Sequence, residues 1–536
     1  MDFDLIIVGG GPAGLSCASR AKQIDPLLNV CVVEKGNEIG SHILSGNIFE
    51  PRALNELLPD WKGENSPIRV PVSRDEFHIF PSQSNRISIP HFLFPTELNN
   101  TGNYVISLGE LCKWLAVRAE SAGVEIYPGF SISDPIFDAD NRVVGVRTQD
   151  TGIGKNGSKK PGYSAGMDLY GKYVVLAEGA RGSVTEKVID RYKLRENSCP
   201  PTYSLGLKEV WEVDPLKHSQ GLVAHGIGFP LDWRTYGGSF VYHMDKNLVH
   251  LGLVIGLDYT NPYLNPYGSL QKLKTHESIQ SLLQGGRCIS YGARVLNVGG
   301  YQALPKLSFP GGVIVGCSAG FLNLPKIKGT HTAMKSGMIA AEILIDSRNR
   351  DPVEYEAAIK ASWIGEELYK VRNVKPAFKL GGILGGVGYT GTVYSALRGR
   401  EPFTLKWKGR DCDKTMAANK CSKIEYSEPD GSITFDLLEN LVRTGVKHDH
   451  DQPSHLRIKK DRINDAEESF PVYAAPESRF CPANVYEYPE GETKKTKLQI
   501  NAQNCIHCKC CSIKASNEFI EWSVPEGGGG PQYTGM

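Results

Sequence analysis

Phe3-Asp4-Leu5-Ile6-Ile7-Val8-Gly9-Gly10-Gly11-Pro12-Ala13-Gly14 opens the chain, and its pattern decides the fold. A short apolar run reads as a buried strand, and glycines follow it at once. Ala13, Leu15, Ala18 and Ala21 then recur at helical spacing, and a second apolar run, Asn29-Val30-Cys31-Val32-Val33, ends on Glu34. Strand, glycine turn, helix, strand and acid in that order form a dinucleotide-binding fingerprint. Gly9 permits the tight turn, Gly11 lets backbone approach a pyrophosphate, and Gly14 lets helix pack on sheet. The helix N-terminus offers free N–H groups to phosphate oxygens. Glu34 follows Gly14 by 20 positions, where a carboxylate accepts the adenosine ribose hydroxyls and repels a 2′-phosphate. The motif by itself does not separate FAD from NAD.

Working outward, the loop from Lys35 to Gly46 is rich in Gly and Ser, which suits close backbone approach to a flat ligand or a plain surface loop. Residues 77–98 hold Phe77, Ile79, Phe80, Ile87, Ile89, Phe92, Leu93 and Phe94 between Pro81, Pro90 and Pro95. Such a segment is buried against the core or exposed at an apolar interface. Regular α/β pattern resumes from Tyr104, and residues 150–165 form a polar hairpin-like excursion. Tyr173-Val174-Val175-Leu176-Ala177 then gives another buried strand. Residues 200–295 alternate short apolar runs with turns, as an inserted antiparallel β-domain does. Gly237-Gly238 precedes one of its strands. Gly311 to Gly316 is a strand again, and a loop carrying Asn323 and Thr330 leads into a helix from Ala333 to Ile345. That helix start is placed to stabilise an anionic flavin ring.

A second G-x-G-x-x-G, at Gly386, Gly388 and Gly391, lacks a preceding strand, which argues against a nicotinamide site. Residues 380–397 are uncharged, with Lys379 on one side and Arg398 and Arg400 on the other. Core packing aside, that segment fits one dipping into a single leaflet better than one crossing both. The tract Lys447-His448-Asp449-His450-Asp451 reads as a solvated linker whose histidines are not metal ligands.

Lys and Arg total 60 against 59 Asp and Glu, so charge does not point to nucleic acid. Of 13 cysteines, Cys481, Cys505, Cys508, Cys510 and Cys511 crowd the last 56 residues. Cys17, Cys31, Cys112, Cys288 and Cys317 sit beside apolar runs as expected buried thiols, in a reducing compartment. Cys505-x-x-Cys508-x-x-Cys511 wraps one corner of a cubane cluster, with Cys481-Pro482 as the remote fourth ligand. Zinc is the alternative for four thiolates, although its ribbons pair two C-x-x-C knuckles. No secretory signal or Arg-rich transit peptide precedes the first strand. A bacterial source or a presequence missing from this chain is therefore expected.

Across nearly its whole length the chain resembles the electron-transfer flavoprotein:ubiquinone oxidoreductase family. The matches are Gly9 to Gly14, Asn103-Tyr104, Thr235-Tyr236-Gly237-Gly238-Ser239-Phe240, Pro325 to Lys335, the cysteine segment and Pro525 to Pro531. The resemblance implies one FAD, one [4Fe-4S] cluster on Cys481, Cys505, Cys508 and Cys511, and ubiquinone near Gly237 and Gly238. It also implies monotopic membrane attachment through 77–98 and 380–397, and electron-transfer flavoprotein as donor. Cys510 stands where the family has Thr, and Ser41 where Gly or Ala is commoner. The implied fold is α/β: a Rossmann-like FAD domain (1–70, 104–185, 296–372), an inserted antiparallel β-domain for quinone and membrane contact (71–103, 186–295, 373–400), and a ferredoxin-like iron–sulfur domain (401–536). Electrons are expected to enter at the cluster, carried on a separate domain, and to leave from FAD. The matrix side of the mitochondrial inner membrane is the expected location, or the cytoplasmic membrane in a prokaryote. A flavin-dependent reductase or monooxygenase of an isoprenoid or aromatic substrate is the alternative, and it has no need of the cysteines. A prenyl-binding chaperone on this fold would need neither them nor Glu34.

Overall fold

The computed structural model describes residues 2–63, 65–94, 96–347, 350–489 and 498–536. Pro95 and the side chain of Leu93, both in the apolar segment singled out above, lie outside the described set. The nucleotide sheet runs Ser308–Phe309, Gly312–Ile314, Asp168–Leu176, Asp2–Val8, Val30–Glu34, Glu125–Pro128, with Val143–Thr148 and Ile132–Phe137 attached at its side. Its centre is parallel: Ile6 lies beside Cys31 on one flank and Val174 on the other. Both faces are covered, so Ile6, Ile7, Val32, Val174 and Val175 are all fully buried, which accounts for their continuous apolar runs.

Helix Pro12–Ile24 starts with Pro at its first turn and no side-chain cap, leaving its first N–H groups free. It packs on helix Thr330–Asp346, which starts three residues earlier than the sequence pattern marks. The approach is so close that a Cβ on Gly337 would lie 2.1 Å from the Ala13 carbonyl oxygen.

A second, seven-stranded sheet runs Arg287–Asn297, Tyr203–Glu212, Leu248–Gly256, Gly237–His243, Leu222–Gly228, Arg74–Phe80, Ile87–Ile89. It is the inserted β-layer, antiparallel except where Leu222–Gly228 pairs in parallel with Arg74–Phe80. A parallel pair needs a long crossover, and here the chain passes through the nucleotide fold between the two strands. One face, with Leu205, Leu207, Leu251 and Leu253, shares a core with the helices at 266–283 and with all five C-terminal cysteines. On the other face Phe240, Tyr242 and Val223 meet Val70 and Val105.

The iron–sulfur segment is therefore built onto the β-layer, and the expected separation from the rest does not occur. The tract at 447–451 is not a free linker either. Lys447 bridges to Gly530, and Asp449 takes the Lys160 ammonium at 2.6 Å from the 151–164 hairpin. His448 is buried and stacks on His455, with ring centroids 5.3 Å apart, so its expected solvation is wrong. A polar sequence can pack when its charges find partners.

Among the described residues no helix is long and apolar enough to cross a membrane. Helix Val374–Tyr389 breaks at Gly382 (φ 63°) and continues through a wide turn at Thr390–Tyr394. The second glycine motif lies within this helical stretch and caps no strand.

Candidate functional site

One elongated cavity opens above the first glycine turn, lined by Gly9, Gly11, Glu34, Gly46, Arg294, Thr330 and others from both folds. The three glycines divide their tasks in physical terms. A Cβ on Gly9 (φ 111°) would lie 2.5 Å from the Ala177 oxygen, and one on Gly14 would lie 2.1 Å from the Gly9 oxygen. A Cβ on Gly11 would meet nothing within 4 Å, because that position faces the cavity. The Glu34 carboxylate accepts the Gly10 N–H at 2.9 Å and the Gly36 N–H at 2.8 Å, which fixes it at the cavity edge.

Thr330 reaches the cavity at the uncapped start of its helix. Asn323 does not line it: its Nδ2 donates to Glu367 at 2.8 Å and its Oδ1 accepts the Lys326 N–H at 3.1 Å. That side chain closes the loop on which Thr330 is carried. Cys317, expected to be buried, is only half-buried and borders the cavity.

Sequence reasoning missed three cations of the cavity wall. Burial pushes the Lys35 ammonium down to about 7, with Lys509 and Arg294 adding to the effect. Burial pushes Lys509 down to about 8 against the pull of Glu178. Arg294 donates to the His42 carbonyl at 2.8 Å. Lys35 follows Glu34 directly, a usable signal. Lys509 and Arg294 come from remote segments, and nothing local marks them. A wall with three cations, an uncapped helix start and a bare Gly11 fits the diphosphate of FAD.

Cys481, Cys505, Cys508 and Cys511 line a second, smaller pocket, together with Cys510. All five are buried, and burial raises every one of their thiols, with neighbouring thiolates raising Cys481, Cys508, Cys510 and Cys511 further while Lys35 and Lys509 oppose the shift at Cys505. So dense a set of sulfur ligands ionises only around a cationic centre, which fits an iron–sulfur cluster. His507 lies inside the cysteine loop, and its Nδ1 is 3.4 Å from the Lys35 Nζ. His448 Nε2 hydrogen-bonds to the Cys505 carbonyl at 2.8 Å. Lys509 borders both cavities and donates to the Arg181 carbonyl at 2.6 Å.

Gly237 and Gly238 start a strand of the β-layer. Gly238 lies opposite Val254, and Phe240 opposite Gly252, so both share the face turned to Val70 and Val105.

Two redox-type pockets in one core define an iron–sulfur flavoprotein oxidoreductase, and comparison with known proteins agrees. Models described as "FAD binding domain", "ETF-QO, ubiquinone-binding" and "Electron transfer flavoprotein-ubiquinone oxidoreductase, 4Fe-4S" match residues 4–53, 203–296 and 431–534. The chain is 52% identical over 544 residues to the mitochondrial electron transfer flavoprotein-ubiquinone oxidoreductase of Arabidopsis thaliana, covering 100% of this chain and 85% of that protein. The Bos taurus protein of the same description is 48% identical over 553 residues, covering 100% and 89%. The chain belongs to the electron transfer flavoprotein–ubiquinone oxidoreductase family. A geranylgeranyl bacteriochlorophyll reductase-like protein from Thermoplasma acidophilum shares the fold, at TM-score 0.53 and 21% identity over 69% of this chain and 85% of that one. The family decides the thiolate pocket for a [4Fe-4S] cluster over zinc.

Proposed function

We propose that this chain takes electrons from reduced electron-transfer flavoprotein and delivers them to ubiquinone, forming ubiquinol. When bound, FAD supplies two-electron exchange and the [4Fe-4S] cluster one-electron exchange. The chain's own residues bind and orient. Gly9 and Gly11 with the helix start at Pro12 would receive the diphosphate, Gly14 holds that helix against the turn, Glu34 would hold the ribose, and Thr330 would stand at the ring. Asn323 serves one step back, through the loop it closes. Cys481, Cys505, Cys508 and Cys511 hold the cluster, and Cys510 stands beside it.

The observation that carries this reading is the junction of the two pockets: Lys509 borders both, and Val295 of the nucleotide cavity bonds Cys508. The two pockets are therefore neighbours, joined by backbone that lines both. We assign residues 1–70, 104–185 and 296–372 to FAD, 71–103, 186–295 and 373–400 to quinone and membrane, and 401–536 to the cluster.

Quinone is assigned to the end of the β-layer at Gly237 and Gly238, where a Cβ on Gly238 would lie 2.8 Å from the Gly226 carbonyl oxygen and only glycine leaves the strand backbone bare. The apolar residues Phe92, Leu380 and Leu384 are 82%, 61% and 77% exposed. Glu97 ties their two segments together, accepting from the Tyr394 hydroxyl at 2.5 Å and pairing with Lys370 at 2.9 Å. That common surface suits monotopic insertion. The relatives described as mitochondrial support a mitochondrial location; within it we assign the matrix side of the inner membrane, or the cytoplasmic membrane if the source is a prokaryote. Gly238→Val tests the quinone site: the expected result is a raised KM for a short-chain ubiquinone with FAD content unchanged. An unaltered KM would move the site elsewhere.

A further inference from the structure

Reducing a quinone to a quinol takes two electrons and two protons, and each carbonyl oxygen ends as a hydroxyl. The proposed quinone face holds a buried polar pair that the roles assigned so far leave unused. His225 lies opposite Phe240 and Tyr242 opposite Val223, so both rings share the face of Gly238. The Tyr242 hydroxyl hydrogen-bonds to His225 Nε2 at 2.8 Å, and both side chains are buried. Phe240 stacks on Tyr242 at 4.8 Å and keeps water from the pair.

Behind this pair the polar groups continue to a cleft. Asp75 and Tyr242 lie one strand to either side of Val223, on the face that His225 shares. Asp75 accepts from Asn100 Nδ2 at 3.0 Å, and Asn100 Oδ1 accepts from Asn103 Nδ2 at 3.2 Å. Asn103 and Lys328 both line a second cleft, with Glu50, Glu97 and Lys326. Lys328 is flanked in sequence by Ile327 and Gly329, which line the nucleotide cavity. The lysine thus stands in the wall between that cleft and the redox site.

We propose that His225 and Tyr242, reloaded from the cleft on the side of Asp75, deliver one of the two protons that quinone reduction consumes. This rests on the reading that quinone binds at Gly238. Tyr242 engages Nε2, so Nδ1 is the nitrogen left to face a carbonyl oxygen. In the step, that oxygen takes the Nδ1 proton as the quinone ring accepts the electrons that the proposed function delivers. Nε2 takes the phenol proton, the phenol is reprotonated on the side of Asp75 by water of the cleft, and the imidazole returns to its Nδ1–H tautomer before the next turnover. Burial, aided by Lys328, pushes the His225 imidazole down to about 3, so it starts neutral. Burial, aided by Asp75, raises the Tyr242 phenol, so it starts protonated. A neutral imidazole against a phenol is the pairing a tautomeric relay requires.

The test uses the FAD- and cluster-loaded protein, reduced by electron-transfer flavoprotein, with two acceptors. One is a short-chain ubiquinone, and the other is ferricenium, which takes one electron and no proton. His225→Gln and Tyr242→Phe should each lower kcat for quinone at least tenfold, the order expected when a proton-transfer group is lost. KM for quinone should change little, the ferricenium rate should hold, and the solvent deuterium isotope effect on quinone reduction should rise. Equal loss with both acceptors would mean a structural role and overturn the relay. Normal quinone turnover in both variants, with KM raised by Gly238→Val, would overturn the relay and leave the quinone site standing. An unchanged KM in Gly238→Val would remove the site, and the relay with it.

Discussion

Val295 donates its backbone N–H to the carbonyl oxygen of Cys508 at 3.2 Å. Val295 belongs to the nucleotide cavity and Cys508 to the thiolate pocket, so the two cofactor sites are hydrogen-bonded to one another. The β-layer core that holds the cysteines also contributes Ala180 and Val295 to the nucleotide cavity.

Loss of the cluster should therefore be felt at the flavin. Cys508→Ala removes a buried ligand whose bond to metal is also folding free energy. The expected outcome is loss of the broad iron–sulfur absorption together with a roughly tenfold weaker hold on FAD, consistent with a coupling of 1–2 kcal/mol. Absorption spectra before and after dialysis read both. Full FAD retention would show the two sites to be independent.

Gly11 and Gly14 separate binding from folding. Gly14→Ala sets a methyl 2.1 Å from a carbonyl oxygen and should destabilise the fold by about 1–3 kcal/mol. Gly11→Ala meets open space, so the apoprotein's melting temperature should hold while FAD affinity falls. Thermal melts with and without added FAD distinguish the two.

The apolar surface makes a third test. Replacing Phe92, Leu380 and Leu384 with Ser removes about 1.5–3 kcal/mol of burial at each position. Flotation with liposomes should leave the triple variant in the soluble fraction while the parent protein rises with the lipid. A triple variant that still floats would place the contact elsewhere.

Glu367 gives a pH dependence. Burial raises its carboxyl, but hydrogen bonds and charge from His331 and Lys326 prevail and hold it down at about 2. A depressed carboxyl contributes its stability above the unfolded value of about 4.5, and that stability is lost as pH falls toward 2. Glu367→Gln should thus cost roughly 2–3 kcal/mol near neutral pH. The gap to the parent protein should narrow below about pH 4.5, as denaturant melts at several pH values would show.

The nucleotide fold was legible because its signals are local. Gly9, Gly11, Gly14 and Glu34 lie within one strand–helix–strand unit, and three of the four cysteine ligands lie within seven residues of one another. What escaped was long-range. Val143–Thr148 and Asp168–Leu176 pair around a hairpin, as adjacent strands do, but no local pattern places Arg74–Phe80 beside Leu222–Gly228. His448 was misread because alternating Asp and His look solvated until Lys160, distant in sequence, supplies the partner for Asp449. Lys509 was hidden for a different reason: the cysteine spacing around it accounted for the segment without it.

The most direct measurement is anaerobic mixing of the FAD- and cluster-loaded protein with reduced electron-transfer flavoprotein and a short-chain ubiquinone, following quinol formation. Ubiquinol should form catalytically, one equivalent for each pair of electrons given up by the flavoprotein, and none should form when Cys505 and Cys508 are both replaced by Ala. Failure of the parent protein to reoxidise the flavoprotein in the presence of quinone would contradict the proposed function.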